Sequence, residues 1–460
     1  MTRLIKTLGL LLAVLAGTPQ GLAQSAPPLP VASRETSPGG IPFARALLPD
    51  ADRQSIQIYW REASLKTDPT RFWLMLLAGP MIAAGPEGMK RAEFSETLKD
   101  LQAGFRLDFT PDAVHFAFNA KPDQAAEAAR LTGAMLARPM LPRERLERFR
   151  KQSTTALEQE REHAEALAGK IWLRRIIASV EAGPALSRDP QLLEQASRDA
   201  LGDWMRKTMT RDALAVATAG PMDAAGAGAL IDTLLAGLPA SGTRPVPKPL
   251  TLRQPAGLVA LQKDAPQTVI MAGGPARFDD ERDLALVSVA VGPLYASGLK
   301  SRMYANLREK LGATYGVRGF IERFDDRHHG FGIRSAVDHG RAEAALAALK
   351  DEYARWHADG LSEEEFENSR TQQLSRLAEQ ARTAPFVAGV LARGLLRGGR
   401  ADALTEQQAR LKSLTRAEVN AFIRKAFPAP PLALVVVSPT PQAFAPDCLL
   451  NTVSEVTSCK

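Results

Sequence analysis

Arg308 and Tyr315, seven residues apart, are two side chains whose types could do chemistry. They lie in the run SRMYANLREKLGATYGVRGF, residues 301–320. A guanidinium and a phenol both donate hydrogen bonds, to a peptide carbonyl or to the oxyanion that develops on it. By residue type alone the pair reads rather as an arginine on a solvated helix and a tyrosine on a sheet face. The histidines are scattered. His115 falls in the alternating run VHFAFNA and reads as a strand residue. His163 reads as part of a charged helix. His328 and His329 are adjacent in a polar turn, where neighbouring side chains diverge, and His339 and His357 stand alone. No Gly-x-Ser-x-Gly elbow occurs, and neither cysteine is placed as a nucleophile. Cys448 and Cys459 both lie in the last 13 residues. An even, closely spaced pair favours a disulfide that staples the tail over a two-thiol metal clip, for which no further Cys or His lies nearby.

The elements that must position these residues repeat. Leu141–Gln152 (LPRERLERFRKQ) aligns with Leu361–Gln372 (LSEEEFENSRTQ) at an offset of 220. Trp204-Met-Arg-Lys aligns with Phe422-Ile-Arg-Lys at an offset of 218, and the apolar runs from Ala213 and Leu432 follow at nearly the same spacing. Three matches in one order argue for a duplicated domain. Each half reads as an early strand (Ser55–Tyr59; Gln267–Ala272), a long apolar helix, central strands, polar helices and a late strand. Regular βαβ alternation is missing, so the expected class is α+β: two homologous domains, each a largely antiparallel sheet covered by helices. Pro239–Pro255 (PASGTRPVPKPLTLRQP) carries five prolines and serves as the linker. The expected division is a signal segment 1–23, an extended lead-in 24–40, a first domain 41–238, the linker 239–255, a second domain 256–445 and a Cys-containing tail 446–460.

The first residues, MTRLIKTLGLLLAVLAGTPQGLAQ, have a basic start, a short apolar core and small residues before a cut ahead of Gln24. The apolar run is too short to span a bilayer, and a periplasmic or secreted location follows. Removing the segment's two basic residues leaves +5 of the formal charge of +7. Those charges are interleaved with acids, and no basic cluster with interleaved aromatics supports nucleic-acid binding. With 45% hydrophobic and 24% charged residues, the 460-residue chain has the composition of a globular protein of two or more domains.

Residues 301–320 resemble the second-domain signature of the pitrilysin/insulinase family of zinc metallopeptidases. Ser301-Arg-Met-Tyr resembles that family's helix start. Leu307-Arg-Glu-Lys-Leu-Gly-Ala-Thr-Tyr-Gly-Val resembles its Arg-Glu-Lys-x-Gly-x-x-Tyr stretch, and Lys263–Gly273 its strand after the linker. The resemblance implies that Arg308 and Tyr315 face a zinc across a cavity and contact the scissile region of a peptide substrate. The family's zinc sits on an inverted His-x-x-Glu-His helix. The matching stretch here, Phe72–Gly85, places Leu76, Gly79 and Pro80 at the two His and one Glu positions, and Leu65–Lys90 contains no histidine. A catalytic zinc needs three protein ligands and an open position for water. The helix supplying the third ligand elsewhere survives as Ala156–His163, where Glu158, Glu160 and Glu162 read as a solvated face. The expectation is therefore a chain without a metal site or cofactor of its own and inactive alone. It would be the non-catalytic, substrate-binding subunit of a heteromeric envelope peptidase that cleaves unfolded peptides, as in the mitochondrial processing peptidase and paired bacterial enzymes. A zinc-bearing paralogous subunit would be its partner. The alternative is a stand-alone, non-enzymatic peptide-binding or scaffold protein.

Overall fold

The computed structural model describes residues 29–62, 69–110, 113–179, 190–243, 250–399 and 401–459. The expected signal segment, 24–28 of the lead-in, 65–68 of the histidine-free stretch and 244–249 of the linker lie outside the described residues.

Two six-stranded sheets organise the chain. The first contains β1 (Ala32–Thr36), β2 (Pro42–Leu47), β3 (Gln54–Arg61), β4 (Gly104–Thr110), β5 (Ala113–Ala120) and β6 (Leu214–Gly220), in the order β1-β2-β6-β3-β5-β4. The second contains β7 (Leu258–Gln262), β8 (Thr268–Arg277), β9 (Val317–Arg323), β10 (His328–Val337), β11 (Ala433–Ser438) and β12 (Cys448–Leu450), in the order β12-β7-β11-β8-β10-β9. Five strands correspond one to one, and most pairings in both sheets are antiparallel. β6 runs parallel to β2, as β11 does to β7. The expected duplicated α+β architecture is thus the observed one.

In the first half, α1 (Pro69–Ile82), α2 (Arg91–Asp100), α3 (Ala125–Ala137), α4 (Arg143–Glu160), α5 (Ala164–Ile176), α6 (Arg198–Thr208) and α7 (Ala224–Leu235) punctuate the strands. In the second, α8 (Leu284–Val291), α9 (Ala342–Asp359), α10 (Glu363–Gln380), α11 (Ala384–Leu396), α12 (Ala403–Ser413) and α13 (Arg416–Ala426) do so. α10 and α13 start at full capping boxes, Ser362 with Glu365 and Thr415 with Glu418, which satisfy two otherwise orphaned backbone donors each.

Alternation along the strands sends side chains to two buried faces. Ile56, Ile58, Trp60, Phe116 and Phe118 pack against Trp73, Leu77 and Met81 of α1 and against α3 and α7. Ile270, Phe331, Ile333 and Val436 pack likewise against Leu349, Tyr353 and Trp356 of α9 and Ile423 of α13.

The opposite face of each sheet is covered by a helix from the other half. α5 lies on β8 and β11, burying Leu167, Ile171, Trp172 and Ile176 against Val269, Met271, Val435 and Val437. α11 lies on β2, β3 and β6, where Val387, Ala388, Leu391 and Ala392 meet Ala44, Ala46, Ala215, Ala217 and Ala219. Trp172 fits because β8 and β10 are glycine-carved. A Cβ on Gly330 would come within 2.6 Å of the indole ring, and one on Gly273 within 2.9 Å. The end of α5 is fastened by Arg175, only 4% exposed, whose guanidinium donates to the carbonyls of Gly257 at 3.0 Å and Leu434 at 2.9 Å. Reciprocally, Arg61 donates to the Leu396 carbonyl and Arg34 to that of Gly399 at the end of α11.

Two readings change at the histidines. His163 is not inside a helix but is the N-cap residue of α5, in extended conformation between α4 and α5. His328 and His329 open strand β10 rather than sitting in a turn. The turn is the preceding run, where Asp325 accepts hydrogen bonds from the backbone N–H groups of Arg327 and His328, both at 2.8 Å. The polar composition of that run hides the strand start.

Candidate functional site

The segment carrying Arg308 and Tyr315 is a short helix, a tight turn and a pinned loop. Arg302–Tyr304 and the widened π-type turn Ala305–Lys310 bury Met303 and Leu307, leaving Arg308 on the exposed side. Arg302, the arginine of the Ser-Arg-Met-Tyr motif, is structural. Its guanidinium bonds Glu365 at 2.6 Å and the Gly360 carbonyl at 2.9 Å, tying this segment to the capping box of α10. The hydrogen bond to Glu365 raises the Arg302 pKa further. Gly312, with φ of 56°, turns the chain back, a conformation that costs glycine little.

Residues after the turn are held by a small network. Thr314 Oγ1 donates to the Ala336 carbonyl at 2.6 Å and accepts from the Gly316 N–H at 3.1 Å, while Ser335 Oγ donates to the Gly316 carbonyl at 2.9 Å. Arg341 donates to the Leu311 carbonyl at 2.8 Å. Between these anchors Tyr315 points outward and is 87% exposed. The structure brings Arg308 and Tyr315 together through the backbone. The guanidinium donates to the Tyr315 carbonyl at 3.1 Å and lies 4.8 Å from the Tyr304 ring centre, a cation–π contact. One large amphipathic ring and one cation thus share an exposed, rigid corner just before the edge strand β9. Thr314, Ser335 and Arg341 were not singled out from the sequence, because hydrogen bonds to distant backbone carbonyls leave no local pattern.

The α1 segment of the first half has no equivalent chemistry. α1 is anchored by Glu62, whose buried carboxylate accepts from Arg71 at 2.8 Å and from Thr208 at 2.9 Å. Leu76, Gly79 and Pro80 lie in its second half. Leu76 is 38% exposed, and a Cβ on Gly79 would point at the Leu107 carbonyl and the Phe109 ring of β4, 3.9 Å away. None of the three side chains can ligate a metal, so these positions do not fit a zinc ion. On the ligand-bearing helix of the resemblance, Glu160 pairs with Lys170 at 2.9 Å and Glu162 pairs with Lys263, while Glu158 is exposed. Among the described residues, no three His, Cys, Asp or Glu side chains gather as a metal group.

The histidines are held in place by other side chains. His115 bonds Gln57 at 2.6 Å and stacks on Tyr59 with ring centres 4.2 Å apart. Burial lowers its pKa to about 4, with Asp108 opposing and Arg393 and Arg106 assisting. His329 is fully buried, bonds Asp280 at 2.6 Å and stacks on Phe278 with ring centres 3.9 Å apart. Cys448 and Cys459 form the expected disulfide, and the turn they enclose packs on α5.

This arrangement defines the class. Duplicated six-stranded sheets with exchanged helices, an Arg/Tyr corner in the second half and an α1 without His, Cys, Asp or Glu describe a peptidase-like fold. Residues 195–373 match the family model of the Peptidase M16 inactive domain, so the zinc-peptidase resemblance read from the sequence holds there. A relative described as an uncharacterized zinc protease of Rickettsia bellii (strain RML369-C) is 32% identical over 119 residues, covering 25% of this chain and 28% of that one. The matched stretch is thus little more than a quarter of the curated relative. The fold is shared with a Peptidase M16 inactive domain of Pseudomonas fluorescens, at a TM-score of 0.76 and 17% identity over 89% of this chain and 98% of the other. It is also shared with the periplasmic protease PqqL of Escherichia coli, at a TM-score of 0.73 and 15% identity over 94% of this chain and 49% of that protein. A chain of Complex III2 from Candida albicans has the fold too, at a TM-score of 0.67 and 13% identity over 93% of this chain and 99% of the other.

Proposed function

We propose that this chain is the non-catalytic, substrate-binding subunit of a heteromeric zinc metallopeptidase outside the cytoplasm. The zinc is held by a paralogous partner, and the substrates are unfolded peptides. The carrying observation is the contrast between two elements: Tyr315 stands 87% exposed on a pinned loop beside Arg308, while α1 offers leucine, glycine and proline where the resemblance would need metal ligands. The fold spans about half of PqqL, in keeping with a two-domain unit that supplies half of a chamber. The Cys448–Cys459 disulfide suits an oxidising compartment. Among the described residues no helix is long and apolar enough to cross a membrane.

The pair acts on a substrate backbone as donors. Removing one transition-state donor typically costs about 10²–10³ in rate, whereas an exposed substitution away from special features changes stability by less than ~0.5 kcal/mol. Arg308→Ala or Tyr315→Phe, mixed with a zinc-bearing partner, should still form the heterodimer but turn over an unfolded peptide far more slowly. Wild-type turnover by both variants in an intact heterodimer would remove the pair from the site. One observation favours the second reading, a stand-alone peptide-binding or scaffold protein: the Arg308 guanidinium already serves the Tyr315 carbonyl and the Tyr304 ring. Under that reading the native protein would be purified without a zinc-bearing paralogue.

A further inference from the structure

A second cavity, of about 800 Å³, opens among α8, α10, α11 and α12. Its lining is drawn entirely from the second half and includes neither Arg308 nor Tyr315. The floor is apolar, with Leu284, Leu377, Phe386, Val390 and Leu411 from the four helices. Leu284 remains 43% exposed, an uncommon placement for leucine at the first turn of a helix with a buried face.

The walls carry five arginines, and their commitments differ. Arg397 lies 3.3 Å from Asp280, Arg410 is 3.2 Å from Glu418 and Arg282 is 3.5 Å from Asp283. The Arg376 guanidinium on α10 has no hydrogen-bond or carboxylate partner among the described residues, and that of Arg393 on α11 donates no hydrogen bond there and interacts with Glu281 by charge alone. The acids on the walls are mostly spoken for. Asp279 accepts the N–H groups of Glu281 at 3.2 Å and Arg282 at 3.0 Å, and Asp280 serves His329 and Arg397. Glu281 is half-buried, and burial raises its pKa, with Arg397 and Arg393 opposing. A cavity with an apolar floor and two exposed guanidinium groups whose hydrogen-bond donors are not taken up by the described residues matches a small ligand that is anionic at one end and apolar at the other.

We propose that this cavity binds an amphiphilic carboxylate, its head on Arg376 and Arg393 and its apolar body on Leu284, Leu377, Phe386 and Val390. A fatty acid and the C-terminus of a short apolar peptide share this chemistry. The inference does not rest on the peptidase-subunit reading, since the cavity and the Arg308/Tyr315 corner have no residue in common.

Calorimetric titration of the full chain separates the sources. One arm uses decanoate below its micellar concentration, with decanol as the neutral counterpart. The other uses N-acetyl-Leu-Phe, with its C-terminal amide as counterpart. The expected result is saturable one-to-one binding of at least one carboxylate, weakened roughly tenfold or more by the neutral counterpart and by R376Q/R393Q, since each lost charge-assisted bond is worth about a tenfold factor or more. Both arginines are exposed and neither donates a hydrogen bond to a described residue, so the double variant should keep the wild-type circular dichroism spectrum. L284Q should weaken binding while leaving the carboxylate preference intact. Decanoate alone responding assigns a fatty acid, and the peptide alone responding assigns a peptide terminus. Absence of saturable binding by both carboxylates, or binding unchanged in R376Q/R393Q, overturns the proposal.

Discussion

The two halves share one sheet plan and solve the same covering problem with opposite materials. The first sheet presents alanines to α11, so helix and sheet approach closely with little side-chain volume between them. The second sheet presents valines, Met271 and a glycine-carved hollow, and α5 fills it with Trp172 and branched aliphatics. The outermost strands differ as well. β1 comes from the segment before the first sheet and pairs antiparallel with β2, whereas β12 comes from the tail and pairs parallel with β7. Duplication thus preserves topology and the position of the covering helix, not the chemistry of the contact. The candidate site differs in the same way: α1 carries no His, Cys, Asp or Glu, while the segment after α8 presents Arg308 and Tyr315.

The contrast is broken most severely at Trp172, which is 1% exposed. Trp172→Ala should leave an unfilled hollow over Gly273 and Gly330 and cost about 3–5 kcal/mol, read by chemical denaturation. A loss below 1 kcal/mol would mean that α5 is dispensable to the second sheet. Next comes the titratable residue under α11. The pKa of His115 is lowered by burial to about 4 from 6.5, so the folded protein binds this proton less readily than the unfolded chain does. Stability from this group is complete above pH 6.5 and declines as the pH falls towards 4, by up to about 3 kcal/mol. The wild type should lose more stability than His115→Gln between pH 7 and pH 4.5; parallel curves would show that the α11 contact does not exclude the protonated ring. The smallest effect tests the alanine face. Ala217→Leu should overpack the contact with α11 and cost about 1–3 kcal/mol, where an equal enlargement at an exposed site costs little. An unchanged denaturation midpoint would show that the first sheet tolerates a looser cover.

Much of this plan was legible in the sequence, for reasons that also explain what was not. The apolar runs that form β6 and β11 and the repeated helix segments at Leu141 and Leu361 and at Trp204 and Phe422 announced the duplication, because buried strands and amphipathic helices write themselves locally. Arg308 and Tyr315 were legible through a motif with fixed spacing, and Cys448 and Cys459 through proximity. The exchange of α5 and α11 was not. Amphipathicity states that a helix has a buried face and is silent on which sheet it meets. β1 was read only as an extended lead-in, because Ala32–Thr36 has no buried alternation, and its pairing depends on β2 alone. The second cavity was equally hidden, since Arg376 and Arg393 look like any arginines on solvated helices until α10 and α11 are set side by side.

The crossed helices also impose a schedule on synthesis. A chain made from its N-terminus completes every strand of the first sheet by Gly220, yet the helix that covers that sheet's alanine face ends only at Leu396. More than 170 further residues must therefore emerge while a flat, small-residue surface waits uncovered. Neither half is a self-sufficient unit of biogenesis. A truncation anywhere between the halves yields a nascent sheet with one bare side, a natural client for holding chaperones and for quality-control proteases.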